Sequence, residues 1–335
     1  MESPAKPFEC AGETVAPGER VHLRYEISET YLSDSVTVPV TLVHGRNPGP
    51  VVFLTAALHG DELNGVEVVR RVADEFGQGN LHGTLVCIHV ANVPGFNAQE
   101  RYIPLDDSDL NRSFPGDSTG TAAERIAAAL YETFIRRCDF GIDFHTSTRG
   151  RTNLVHVRAD LHSGVDRLAL SFAANVVFDE RGPLGSLRRV ATEDGIPTIT
   201  VEMGEAKRFQ RDPIETGVAG VKSVFAEFGL HPQRDVHWPG WRVIIGNTDK
   251  KRWIRADDGG IVEMTAESGS VVEEGDRLCR ITNPFNETRI VVTAPFTGLV
   301  VGVLENPVVY PGNPICHLVG VGEDTRRAIE GSRRP

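Results

Sequence analysis

The stretch TAALHGDELNG, residues 55–65, ends an apolar run and then places a histidine and a glutamate three positions apart. At this spacing His59 and Glu62 can face one side if a helical turn begins there. An imidazole and a carboxylate belong to the ligand sets of many catalytic zinc sites, which use three protein ligands and leave a fourth position to water. The stretch therefore indicates a metal site that takes its third ligand from another part of the chain.

His145 is the candidate for that third ligand, because it ends a second apolar run, DFGIDFHTS, and is followed by small polar residues. Asp143 lies two residues earlier on the same face of the predicted strand, where it could orient a ligand histidine. The alternative is that each histidine only ends its strand as a polar residue, since H-x-x-E alone is a weak pattern. His89, inside CIHVAN, is interpreted as a core histidine rather than a ligand.

Two further segments carry residues that suit the chemistry of an anionic substrate. The loop RYIPLDDSDLNRSFPG contains Arg101, Asn111 and Arg112, and a guanidinium can bind a carboxylate through two hydrogen bonds. A solvated surface loop is the competing interpretation. Glu202 follows the apolar strand in TITVEMGE, where it is either a general base for metal-activated water or a strand-end carboxylate exposed to solvent.

The elements that must position these residues alternate between strands and helices from about residue 35 to 235. Strands are predicted in SVTVPVTLVHG, VVFLTAAL, GTLVCIHVAN, DFGIDFHTS and IPTITVEMG, and helices in GVEVVRRVADEF, TAAERIAAALYETFIRRC and ETGVAGVKSVFAEFGL. Thr121 and Glu124 are spaced as a capping box at the start of the second helix. This order predicts an α/β domain with a mixed, largely parallel sheet flanked by helices, and functional loops at the carboxyl ends of its strands.

After about residue 235 helical periodicity is lost, and short β-prone runs are separated by Gly, Asn or Pro. The segments 259–281 and 293–319 share one pattern, which predicts a small all-β barrel built from two similar halves. The expected domains are an N-terminal segment, 1–34, that packs on the catalytic domain, a hydrolase domain, 35–235, a barrel, 236–322, and a flexible tail, 323–335.

Composition limits the class of protein. The 335 residues carry a formal net charge of −11, which argues against nucleic acid or an anionic membrane as the main partner. Five scattered cysteines without a CxxC pair predict neither a disulfide framework nor a cysteine metal site, and favour a reduced, cytoplasmic location. The N-terminal residues have no apolar core of a signal peptide, and no apolar run reaches membrane-spanning length.

Taken in order, HGDE, DLNRSFPG, DFHTS and VEMGE resemble the succinylglutamate desuccinylase/aspartoacylase family, which has a zinc-carboxypeptidase-like fold. The resemblance implies that His59, Glu62 and His145 bind one zinc ion. It also implies that Glu202 activates water and protonates the leaving amine, and that Arg101 stabilises the oxyanion. The substrate carboxylate would then be held by Asn111 and Arg112.

The β region resembles a biotinyl/lipoyl-type barrel. Its hairpin TNPFNETRI contains no lysine, so a swinging arm is not expected there, and the barrel is interpreted as capping the site or forming an oligomer interface.

The predicted function is zinc-dependent hydrolysis of a small N-acyl amino acid by an enzyme that forms a homo-oligomer. Two alternatives stay open: a zinc carboxypeptidase acting on short peptides, and a non-catalytic metal-binding scaffold.

Overall fold

The computed structural model describes residues 5–30, 32–77, 79–231, 236–246 and 250–332. The strands before residue 240 are β1 Phe8–Cys10, β2 Glu13–Val15, β3 Arg20–Glu29, β4 Ser35–His44, β5 Asn47–Ala56, β6 His82–Ile88, β7 Phe140–Ser147, β8 Arg151–Ala159, β9 Val176–Asp179 and β10 Thr198–Glu205. The later strands are β11 Val243–Ile245, β12 Lys251–Arg255, β13 Gly260–Met264, β14 Val271–Val272, β15 Arg277–Thr282, β16 Thr288–Thr293, β17 Gly298–Leu304, β18 Val308–Val309 and β19 Pro314–Gly320.

The helices are α1 Asn64–Glu75, α2 Val93–Ala98, α3 Ala122–Leu130, α4 Asp166–Ser171, α5 Leu187–Glu193, α6 Arg211–Glu227 and α7 Glu323–Ser332. No helix within the described ranges is both long enough and apolar enough to cross a membrane.

The main sheet runs from edge to edge in the order β12–β19–β17–β8–β10–β7–β5–β6–β4–β3. Strands β10, β7, β5 and β6 are parallel neighbours at its centre. Towards both edges the neighbours on this path pair antiparallel. The predicted mixed α/β architecture is confirmed. Because parallel strands bring their carboxyl ends to one side of a sheet, the ends of β5, β7 and β10 meet there.

Strand β5 shows why the sequences of the central strands are continuously apolar. Val52 and Leu54 are fully buried in the core under α1, α4 and α6, whereas Phe53 between them is fully buried in the core under α3 and α5. Successive side chains of a strand point to opposite faces, so a strand covered by helices on both faces is apolar at every position.

The helix predicted over residues 121–138 differs from the expected single α-helix. Helix α3 ends at Leu130, and Tyr131–Ile135 forms a π-helical turn. At its start the expected capping box is present, with both the Thr121 hydroxyl and the Glu124 carboxylate accepting hydrogen bonds from backbone N–H groups.

The C-terminal repeat corresponds to two copies of a strand, a short strand and a strand: β13, β14, β15 and then β17, β18, β19. The short strand of each copy pairs with the first strand of the other, β14 with β17 and β18 with β13. The two halves therefore interlock around a shared apolar core that includes Leu278, Ile281, Val300 and Ile315.

This β region is continuous with the catalytic part of the molecule, because β17 pairs antiparallel with β8 through Gly302, Val303 and Leu304. Strand β11 also pairs with β9. The boundary expected at residues 235 and 236 adjoins residues 232–235, which lie outside the described residues, and the hydrogen-bonded sheet spans both sides of it.

Within the tail that was predicted to be flexible, residues 323–332 form α7. Its residue Ile329 is 1% exposed and packs beside Val176, Phe178 and Leu299. Residues 333–335 lie outside the described part of the chain. At the other end, β3 of the N-terminal segment pairs with β4 of the expected hydrolase domain over most of its length.

Candidate metal and catalytic centre

The loop between β5 and α1 brings His59 and Glu62 together in a single turn, in which the Glu62 N–H donates to the His59 carbonyl at 3.1 Å. The Nδ1 atom of His59 lies 2.8 Å from Oε1 of Glu62, and both side chains are buried. An added Cβ on Gly60 would lie 2.0 Å from the carbonyl carbon of Gly95, so only glycine permits this close approach of two loops.

His145 completes the cluster from the end of β7, the parallel neighbour of β5. Its Nδ1 atom lies 3.0 Å from Oε2 of Glu62 and 3.1 Å from Nδ1 of His59. Donor atoms of the three residues all lie within 4.8 Å of one another. Two imidazole nitrogens facing each other across one carboxylate form a set of ligands that fits a zinc ion.

The electrostatics of the cluster follow from its burial. Removal from water would raise the pKa of the Glu62 carboxyl, but the adjacent His59 and His145 hold that pKa well below its usual value. Burial would lower the pKa of His145, yet Asp143 and Glu62 raise it well above the ordinary range. The site therefore keeps Glu62 ionised, as a metal ligand must be.

A second carboxylate stands behind His145, as the sequence suggested. Nε2 of His145 lies 2.7 Å from Oδ2 of Asp143, and the other oxygen of Asp143 accepts a hydrogen bond of 2.7 Å from the hydroxyl of Thr55. Thr55 and Asp143 are register partners on β5 and β7. This arrangement leaves Nδ1 of His145 to face the cluster.

Sequence reasoning missed the corresponding carboxylate behind His59, which is Asp109. Oδ1 of Asp109 lies 3.2 Å from Nε2 of His59. Burial raises the pKa of Asp109, but its hydrogen bond with His59 and the charges of His59, Arg101 and Arg112 bring that pKa down to about 2. Asp109 stands two residues before Asn111 in DLNR, so the motif that indicated the neighbouring positions also contained this signal.

Arg101 reaches the cluster directly. Its Nη1 atom donates a hydrogen bond of 2.7 Å to Oε1 of Glu62, and its backbone carbonyl accepts one of 3.2 Å from Gly60. Residues 104–108, which separate Arg101 from the DLNR motif in the sequence, therefore do not remove it from the site.

Asn111 and Arg112 line a cavity of about 180 Å³ together with His59 and His145. Both polar atoms of the Asn111 side chain already have partners within the protein. Its oxygen accepts a hydrogen bond of 2.9 Å from the Leu187 N–H, and its Nδ2 lies 3.4 Å from Nε2 of His145. The Arg112 side chain is 45% exposed and donates to the Asn111 carbonyl. Arg112 is therefore the freer of the two to receive a ligand.

Glu202 lies on β10 in direct register with His145 on β7, so the two side chains emerge next to each other. It accepts a hydrogen bond of 3.3 Å from Asn153, and Nε of Arg158 lies 3.6 Å from its other oxygen. Its side chain is 19% exposed and lines the same cavity as the histidines. A carboxylate in this position can exchange a proton with a group held at the cluster.

Two arginines of the cavity wall were not found from the sequence. Arg158 on β8 and Arg188 on α5 both contact Glu180, and burial lowers the pKa of Arg188 to about 10. They come from separate segments without a motif, so only the fold brings them beside the cluster.

A second cavity, of about 170 Å³, shares His59, Arg101, His145, Arg158 and Glu202 with the first. Its other wall includes Arg151, Asn153 and Trp253. Trp253 lies on β12, so the C-terminal β region contributes a side chain to the site. The sequence predicted that this region caps the site or forms an oligomer interface, but it indicated no residue of the region that reaches the site.

Solved structures share this architecture. The product-bound ectoine utilization protein EutE (DoeB) of Ruegeria pomeroyi superposes with a TM-score of 0.80 at 23% identity, over 95% of this chain and 98% of that one. A succinylglutamate desuccinylase from Silicibacter sp. TM1040 gives the same TM-score, identity and coverage.

Residues 48–228 match the family model of the succinylglutamate desuccinylase/aspartoacylase catalytic domain, and the chain belongs to this family. The membership confirms the predicted enzyme class, an amidohydrolase that acts on linear amides. The chain is similar to the N-alpha-acetyl-L-2,4-diaminobutyric acid deacetylase of Halomonas elongata, with 24% identity over 74% of each chain. It is also similar to the succinylglutamate desuccinylase of Ectopseudomonas mendocina, with 22% identity over 59% of this chain and 63% of that protein.

Proposed function

We propose that this protein is a zinc-dependent hydrolase that cleaves the amide bond of a small N-acyl amino acid. The observation that carries the proposal is the convergence of His59, Glu62 and His145, with Glu202 one strand away in register with His145. Relatives named as a deacetylase and a desuccinylase of acylated amino acids support the substrate class.

The cluster of His59, Glu62 and His145 would hold a single divalent ion. When bound, such an ion lowers the pKa of water towards neutrality and polarises a carbonyl group. Asp109 and Asp143 hydrogen-bond the outer nitrogens of the two histidines and so fix which nitrogen of each ring faces the ion.

Glu202 would act as the general base and then as the general acid. Its carboxylate takes the proton from the attacking water and later gives it to the departing amine, so that no net proton is lost at this side chain. Arg101 lies against the cluster and presents a fixed positive charge where the carbonyl oxygen gains negative charge. A preorganised donor of this kind typically contributes about 3 kcal/mol to transition-state stabilisation.

The amino-acid carboxylate would bind in the cavity lined by Asn111, Arg112 and Arg188. Arg112 has the exposed guanidinium, whereas Asn111 mainly holds the loop against α5 through Leu187. Asn111 would therefore act partly by positioning the loop that carries Arg112.

Two other functions use parts of the same site. A zinc carboxypeptidase would share the three ligands and the base, but the inner cavity that Trp253 lines has a volume of only about 170 Å³, which favours a small molecule. A non-catalytic scaffold would need the metal ligands but not Glu202. A cytoplasmic location and a homo-oligomer remain predictions of the sequence.

The test compares wild type with Glu202→Gln on N-acetyl and N-succinyl amino acids and on dipeptides, after zinc loading and after chelation. Removing a general base should lower kcat by about 10²- to 10⁴-fold without changing metal content. Glu215→Gln, on the exposed face of α6, is the matched control. Near-wild-type turnover by Glu202→Gln would reject its role, and cleavage of dipeptides alone would favour the peptidase.

A further inference from the structure

An outer cavity of about 810 Å³ lies between the loops of the metal cluster and the C-terminal strands. Arg101 and Arg151 line both this outer cavity and the inner cavity that contains Trp253. The charged residues in its wall are Arg101, Arg149, Arg151, Lys207 and Arg255 against Asp61 and Glu205. The entrance is therefore positive in a chain whose net charge is −11, and it favours anions.

Arg151 is held in one orientation within this passage. Its Nε donates a hydrogen bond of 3.0 Å to the Thr148 carbonyl, and its guanidinium carbon lies 5.0 Å from the centre of the Trp253 ring. Trp253 is itself stacked on His317 at 4.6 Å with an interplanar angle of 7°. An arginine supported by an aromatic face keeps its remaining in-plane N–H groups available for a carboxylate.

No carboxylate forms an ion pair with Arg151 among the residues that the structure describes, and Glu202 acts on its charge only from a greater distance. Burial and the nearby charges of Arg149 and Arg101 lower its pKa. A bound anion would relieve this crowding of positive charge.

The two inner cavities overlap at a shared centre. The shared residues are the two histidines, Arg101, Arg158 and Glu202. From this centre one cavity extends to Arg112 and Arg188, and the other to Arg151 and Trp253. A substrate whose amide lies at the centre and whose amino-acid carboxylate lies at Arg112 would have the second cavity, with Arg151 and Trp253, available for its acyl chain.

We propose that Arg151, supported by Trp253, is a specificity-determining residue that binds an anionic group at the far end of the acyl chain. The preferred acyl group is then a dicarboxylic acid joined through one carboxyl, of the succinyl type, rather than acetyl. This inference rests on the proposed function, because it assumes that the amide is cleaved at the shared centre.

The experiment measures kcat/KM for the N-acetyl and N-succinyl derivatives of one amino acid with zinc-loaded wild type, Arg151→Met, Trp253→Leu and the control Arg252→Met. Arg252 is the exposed neighbour of Trp253 on β12 and does not line either cavity. Losing a charged hydrogen bond should lower the succinyl value about 10- to 100-fold in Arg151→Met. The kcat/KM of Arg151→Met for the N-acetyl derivative should stay within about threefold of wild type. Trp253→Leu should lose activity on the N-succinyl derivative in the same way but to a smaller extent. Arg252→Met should match wild type on both derivatives.

A binding measurement separates this inference from the proposed function. Calorimetric titration of the zinc-loaded protein with succinate and with acetate requires no turnover. We expect tighter binding of succinate, and loss of that preference in Arg151→Met. Equal loss of both kcat/KM values, or an unchanged preference in Arg151→Met, would overturn the inference while the hydrolase proposal stands. Absence of hydrolysis of every N-acyl amino acid, with succinate still bound through Arg151, would instead reject the proposed function.

Discussion

At the scale of single residues, each histidine of the cluster is held from behind by its own carboxylate. Asp143 contacts His145 from two residues earlier on the same strand, whereas Asp109 contacts His59 from a loop 50 residues away in the chain. Both contacts fix which imidazole nitrogen faces the centre. In the proposed zinc enzyme they would therefore act on metal affinity without being ligands themselves.

Replacing either carboxylate by its amide should weaken zinc binding by about 10- to 100-fold, because outer partners of ligand histidines typically have effects of this size. The measurement is competition with a chromophoric chelator for Asp109→Asn and Asp143→Asn. Asp107→Asn, exposed in the same loop as Asp109, is the matched control. Unchanged affinity in both variants would mean that backbone geometry alone orients the rings.

At the scale of elements, helix α3 depends on the capping box at its first turn. The Thr121 hydroxyl accepts from the Glu124 N–H, and the Glu124 carboxylate accepts from the Thr121 N–H at 2.8 Å. The helix covers the sheet face that contains Phe53, so its start also supports the core.

Thr121→Ala should lower the free energy of unfolding by about 1 kcal/mol, since it removes one side of the capping box. Denaturant unfolding monitored by circular dichroism measures this change. Ser118→Ala, exposed in the loop before the helix, should change stability by less than about 0.5 kcal/mol. Equal stability of the two variants would contradict the role of the cap.

The elements also show how far sequence reasoning reaches. The central strands β5, β6, β7 and β10 were predictable because burial on both faces makes them continuously apolar. Strand β8 was missed because its sequence, RTNLVHVRA, mixes polar side chains that line the site with buried ones. Trp253, Arg151 and Arg188 were missed because neither a motif nor a spacing relates them to the ligands before the chain is folded.

At the scale of the whole molecule, the C-terminal β region completes the main sheet. Strand β17 covers the edge of β8, and β11 covers β9. Apolar side chains from both parts, including Val176 and Leu299, share one small core with Ile329 of α7.

A chain that ends at residue 235 should therefore aggregate, because it exposes the unpaired edge of β8 and this apolar surface. Size-exclusion chromatography and thermal unfolding of the truncated protein measure the effect. A chain that ends at residue 332, which removes only the last three positions, should behave as the full-length protein. A soluble truncated chain that unfolds cooperatively would show that residues 1–235 fold independently.

The ladder between β17 and β8 has a further consequence for the passage of molecules. Arg151 and Asn153, whose side chains line the inner cavity, are also residues through which β8 is hydrogen-bonded to β17. Moving the C-terminal strands away would break this ladder and would remove Trp253 from the cavity wall. We therefore expect the mouth to keep a constant width during turnover, so that the length and charge of a molecule decide its entry before any bond is broken.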